Sequence, residues 1–254
     1  MKLIKTGNET GPAAVLLPGL AADEESLAGL RDALADWQVY TVRYDGQGEG
    51  VFHSADAEAA AVLALLKQAG LEHADLLYGI SLGAVVGLKM LAQEPDISTR
   101  NFFDGGLFFH FNKLLRMGIT SQFMDFVHQA VRLDEEGGLQ LVKKHSALKQ
   151  IIGTPVPAQD QLFKNMLKVL KETGDDSVKA QLEACFDFRY PALSADVQKR
   201  TVFLFADQDP AAHCRRETAA AYPDAHILDL PGFGYGGFVA ADPAGYAGLL
   251  RDFL

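Results

Sequence analysis

Apolar residues along this chain alternate between short unbroken runs and wider, helix-like spacings. Ala13-Ala14-Val15-Leu16-Leu17 is an unbroken run, the pattern of a strand covered on both faces. Pro18-Gly19-Leu20-Ala21-Ala22 then reads as a turn. Residues 23–35 carry Leu27, Leu30 and Leu34 at spacings of three and four, behind three acids that a helix N-terminus favours. A strand at 38–44, a glycine-rich loop (Asp45-Gly46-Gln47-Gly48-Glu49-Gly50), a helix at 57–70, a strand at 73–78, a helix from 85 to 92 and a strand at 99–104 follow. Strands alternating with helices imply βαβ units, hence a mainly parallel central sheet flanked by helices.

From 105 to 190 the pattern changes. No β-type run occurs there, and helical spacings cover roughly 107–117, 121–132, 139–152, 159–172 and 177–186. The alternation resumes with a strand at 201–206, a turn at Asp207-Gln208-Asp209-Pro210, a helix at 211–222, a strand at 225–230, a glycine-rich turn at 231–237 and a closing helix at 243–254. The sheet is therefore expected from residues 1–104 and 191–254, and an all-helical cap from residues 105–190. Phe108, Phe109, Phe111, Phe123 and Phe126 crowd the start of that insertion. They either pack it onto the sheet or line an apolar pocket beneath it.

Composition narrows the options. With 254 residues and 48% hydrophobic content, the chain can bury one sizeable core. A formal net charge of −10 argues against nucleic acid or an anionic membrane as partner. No run reaches the roughly 18 to 20 apolar residues of a membrane span, and the first residues hold no apolar signal segment. Two cysteines, Cys185 and Cys214, in separate helical patterns suggest a reducing compartment, so a cytoplasmic location is expected.

The chemistry concentrates at Leu76-Leu77-Tyr78-Gly79-Ile80-Ser81-Leu82-Gly83-Ala84. This is G-x-S-x-G placed between a strand and a helix, the nucleophile-elbow pattern, with Ser81 projecting from a strained turn. The spacing alone is weak, since any glycine-bearing turn can produce it. Two other glycine patterns carry less. Gly232-Phe233-Gly234-Tyr235-Gly236-Gly237 satisfies G-x-G-x-x-G, but too little chain follows to complete a dinucleotide-binding unit, and no cofactor is expected. No His, Cys and carboxylate cluster has metal-ligand spacing.

Taken in order, the strand–Pro-Gly-Leu turn, the YDGQGEG loop, the GISLG elbow, the helical insertion, the DQDP turn and the GFGYG turn resemble the α/β-hydrolase fold of serine esterases and lipases. The resemblance implies an N-terminal hairpin shortened to one strand near residues 2–5. It implies Ser81 as nucleophile and the backbone N–H groups of Leu20 and Leu82 as oxyanion-hole donors. It implies Asp209 as the acid, with Asp207 the competing carboxylate better suited to accepting turn N–H groups. The pattern breaks in two places. The oxyanion loop lacks the family's histidine, and Tyr235 stands where the family places its histidine base. An unperturbed tyrosine, with a pKa near 10, is a poor base at neutral pH. Of the other histidines, His110, within Phe108-Phe109-His110-Phe111, is the candidate substitute base; His73, His128, His145, His213 and His226 are expected in structural or surface roles, and His53, after the glycine-rich loop, has no assigned depth. The expectation is a serine hydrolase acting on a small, fairly apolar carboxylic ester through an acyl-enzyme. Its alternative is a non-catalytic ligand-binding or regulatory protein on the same scaffold.

Overall fold

The computed structural model describes residues 1–154 and 156–253, with backbone alone at residues 147 and 150. Its strands are β1 (Lys2–Gly7), β2 (Ala13–Leu17), β3 (Gln38–Arg43), β4 (Ala74–Ile80), β5 (Ser98–Asp104), β6 (Thr201–Ala206) and β7 (His226–Leu230). They form one seven-stranded sheet in the order β1-β3-β2-β4-β5-β6-β7. β1 runs antiparallel to β3, the single strand expected near residues 2–5, and every other pairing is parallel. The chain steps from β2 out to β3 and returns to β4 on the other side of β2. The order therefore reverses between β2 and β4, where Leu17 pairs with Gly79. A crevice opens at the carboxyl ends of strands at such a reversal. Here it lies between the Pro18-Gly19-Leu20 turn and the elbow.

Before β6 the helices are α1 (Ala28–Ala33), α2 (Ala55–Gln68), α3 (Leu82–Gln93), α4 (Lys113–Ala130), α5 (Glu135–Lys144), α6 (Ser146–Ile152), α7 (Asp160–Glu172), α8 (Asp175–Phe186) and α9 (Ala195–Lys199). After it come α10 (Arg215–Ala221), α11 (Gly237–Ala241) and α12 (Pro243–Arg251). The sheet is buried on both faces. On one, Leu27, Leu30 and Trp37 pack with Leu16, Tyr78, Phe102 and Tyr246. On the other, α2 and α3 pack Val62, Leu66, Val85 and Leu88 against Val15, Leu77 and Phe103. The all-buried β2 follows from its unbroken apolar run.

Between β5 and β6 the helices depart from the spacings in three places. The pattern at 107–117 is not a helix over its first half. Residues 109–111 run extended against the end of α8, through Phe109 N–H to Cys185 O at 3.1 Å, Phe111 N–H to Phe186 O at 2.9 Å and Phe188 N–H to Phe109 O at 2.8 Å. α4 starts only where the Asn112 side chain accepts from Leu115 N–H at 3.0 Å. It then continues through Gly118, merging the patterns at 107–117 and 121–132. The pattern at 139–152 breaks at His145, which is extended at φ −72°, ψ 117°. The short helices α9 and α11 had no distinct signal. The closing helix was expected to reach 254; α12 ends at Arg251, and Leu254 lies outside the described residues.

Candidate active site

β4 delivers the chain into the elbow, and Ser81 sits at φ 57°, ψ −116°. Only Ala21 and Ser81 among the described non-glycine residues have positive φ. Such a conformation costs an ordinary residue on the order of 1–3 kcal/mol and persists only where its surroundings impose it. Here they do. Ser81 N–H bonds Asp104 O at 2.9 Å, and Ala84 N–H returns to Ser81 O at 3.0 Å. A Cβ on Gly83 would stand 2.0 Å from Leu17 O, and one on Gly79 would stand 2.4 Å from Gly83 O. Both glycines let strand and helix approach closely enough to force the turn.

The second strained residue, Ala21 at φ 49°, lies in the turn after β2. Two buried glutamines far away in sequence fix that turn. Gln181 of α8 accepts from Ala21 N–H at 3.1 Å, and Gln47 donates to Ala22 O at 2.9 Å. Among the described residues, the N–H groups of Leu20 and of Leu82, the first residue of α3, have no protein acceptor. These are the two donors expected for an oxyanion. Each residue is buried.

The other half of the site differs. Asp209, at the end of β6, is buried and accepts Ala211 N–H at 2.9 Å. Burial, with the nearby Asp104 charge adding to it, pushes its carboxyl up to about 8. Burial also lifts Asp104 to about 6, although the Tyr246 hydroxyl donates to it at 2.6 Å and opposes the rise. Burial thus favours the neutral form of the Asp209 carboxyl. Asp207 takes the turn role, accepting Gly232 N–H at 2.8 Å. Tyr235 is brought to Ser81. Its hydroxyl faces the serine side chain and closes over Gly19, where a Cβ would meet it at 2.6 Å. Its ring is buried, and burial raises the phenol well above its usual value, with the charges of Asp209 and Asp104 adding to the rise. Gln159, before α7, donates to the Tyr235 carbonyl from a fully enclosed position.

The structure does not bring His110 to the serine. Its ring Nδ1 pairs with Asp187 at 2.8 Å, and it makes no hydrogen bond to Ser81 among the described residues. His73, His128 and His226 are bonded elsewhere, and His53 and His213 are exposed. Among the described residues no histidine hydrogen-bonds Ser81. Ser81 itself is 1% exposed, so the crevice at the sheet reversal is shut. A large groove lies elsewhere, beside α4 and α8, and none of the predicted site residues lines it. Of the aromatics crowding the start of the insertion, Phe108, Phe123 and Phe126 are core residues. Gln47, Gln159 and Gln181 were missed because a glutamine in a polar stretch has no distinguishing spacing. Asp104 was legible only as the end of a strand beside the elbow.

No protein-family model and no curated protein matches the chain. Solved structures do. The enol-lactonase of Burkholderia xenovorans superposes with TM-score 0.74 at 16% identity, covering 99% of this chain and 95% of that one. A carboxylesterase of Bacillus subtilis gives 0.69 at 15% identity over 99% and 86%. The naproxen esterase of the same organism gives 0.66 at 15% identity over 99% and 86%. At these identities the likeness establishes the fold: the chain has the α/β-hydrolase fold.

Proposed function

We propose that the protein is a hydrolase of carboxylic-ester type, in which Ser81 accepts an acyl group and releases it slowly. The observation that supports this most is the pair of unpartnered N–H groups, Leu20 and Leu82, beside a serine held at positive φ. Two buried donors without acceptors carry a desolvation cost of about 1–3 kcal/mol each, which a developing oxyanion offsets. The solved structures of similar fold include carboxylesterases and an enol-lactonase, which points the same way.

In this reading Ser81 Oγ attacks the acyl carbonyl, the carbonyl oxygen becomes an oxyanion held by Leu20 and Leu82, and the alkoxide departs with the serine proton. The Tyr235 ring must swing off Gly19 to admit the ester. Residues 105–190 act as a cap, and the closed, apolar surroundings select a small apolar acyl group. Deacylation needs a base to activate water, and neither the buried Tyr235 phenol nor the buried Asp209 carboxyl supplies one. Without that base a general acid–base contribution of about 10²–10⁴-fold is forgone. Acylation loses the same base, but an activated ester with a good leaving group, such as a p-nitrophenyl ester, needs it less than water attack does, so with such esters the acyl-enzyme accumulates.

The second reading is a non-catalytic ligand-binding protein, and the closure of Tyr235 over Ser81 favours it. Hydrolysis of short p-nitrophenyl esters, followed beside Ser81→Ala, separates the two. A stoichiometric burst followed by slow turnover, both absent from Ser81→Ala, is the expected result. Equal rates from the two proteins would remove Ser81 from the chemistry.

A further inference from the structure

We propose that the groove beside α4 and α8 is a separate binding site for a long-chain aliphatic carboxylate. Its volume is about 1020 Å³, at the upper end of the roughly 300–1,000 Å³ of small-molecule sites. α4 lines it with residues three and four apart from Lys113 to His128, a stripe about 22 Å long at 1.5 Å per residue. α8 faces that stripe, since Arg116 pairs with Glu183 at 2.9 Å and His128 with Asp175 at 2.9 Å. Met117, Met124, Ala180, Ala184 and Phe188 supply apolar lining. Small alanines on α8 leave open the space that an alkyl chain fills.

The charges set the head group. Five lysine and arginine side chains line the groove against four carboxylates, on a chain whose net charge is −10. Lys179 sits midway along α8 beside Asp176, whereas Lys113, Arg116 and Arg189 lie toward one end. Asp187 is shared there among Arg116, His110 and Arg189, and Lys113 has no carboxylate within 4.0 Å among the described residues. Asp125, also without an ion-pair partner among the described residues, stands about 18 Å farther along α4. One end thus attracts an anion and the other repels it, which orients the ligand with its carboxylate at Lys113. Met117 is 60% exposed on the groove wall and Leu114 81% exposed one turn before it. An alkyl chain entering past them would cover large apolar side chains now facing water.

Calorimetric titration of the whole protein with laurate, dodecanol and dodecyltrimethylammonium tests the site. Laurate is expected to bind one to one, and the other two about tenfold more weakly. Ala184→Trp, which fills the groove, and Lys113→Glu, on an exposed side chain that folding does not need, should each weaken laurate about tenfold. Ser81→Ala should leave it unchanged. Equal affinity for laurate and dodecanol overturns the proposal, as does laurate binding that both groove variants leave intact. Loss of laurate binding in Ser81→Ala also overturns it, because the ligand would then sit at the elbow.

Discussion

The two halves of the serine site are built differently. On the elbow side, backbone does the work: a strained Ser81, two unpartnered N–H groups and glycines against which no Cβ fits. On the acid side, side chains do it, and they are buried, biased by that burial toward their neutral forms, and Tyr235 is folded over Ser81. Geometry imposed by the main chain survives a change of side chain. Proton transfer, which needs one particular imidazole, does not. Under the proposed function, the half that would stabilise an oxyanion is in place, and the half that would move protons is not.

Tyr235→His should break that contrast most strongly. An imidazole between Asp209 and Ser81 would restore a base and draw the Asp209 carboxyl back toward ionisation. Ester turnover is expected to rise about 10²–10⁴-fold. A rise below threefold in steady-state assays would mean that the elbow half is not poised either.

Gly83→Val attacks the elbow side. With a Cβ directed at Leu17 O from 2.0 Å, strand and helix must separate. A loss of about 2–3 kcal/mol in urea unfolding is expected, as for an overpacked core. Wild-type stability would show that the close approach is not obligatory.

Gln181→Ala removes the acceptor for Ala21 N–H. Leaving that donor buried and unpaired should cost about 1–3 kcal/mol in the same measurement. It should also slow acylation of Ser81 more than a remote variant of equal stability, because the Leu20 donor rides on that turn.

The smallest effect is electrostatic and belongs to the acid side. Asp209 binds its proton more tightly folded, at about 8, than unfolded, at 3.8. Between those values the native state holds the extra proton, so this group's contribution is full below about pH 4 and declines as pH rises to 8. Asp104, at about 6, and the buried Glu58, at about 7, act in the same direction. Thermal melts from pH 5 to 9 should fall for the wild type and fall less for Asp209→Asn. Parallel curves would show that Asp209 is ionised in the folded protein.

Much of this was legible in the sequence, for identifiable reasons. β2 and β6 have the bounds that their unbroken apolar runs give, because a strand buried on both faces has no polar alternation to blur it. Ser81, Asp209 and Tyr235 converge because their turns are anchored by Gly and Pro, whose backbone demands are visible residue by residue. The stretch before α4 misled because Phe109 and Phe111 pair main chain with α8, a contact that helical spacing cannot register. The upward shift of the Asp209 carboxyl and the closed crevice were hidden for a different reason. Both depend on how tightly distant elements pack, and no local pattern encodes that.

The central claim is that Ser81 can be acylated but not readily freed. Intact-mass spectrometry after brief exposure to p-nitrophenyl butyrate tests it most directly. The account predicts one butyryl group per chain in the wild type, persisting after the ester is removed, with none on Ser81→Ala and rapid loss from Tyr235→His. An unmodified wild-type chain, or the same adduct on Ser81→Ala, would contradict it.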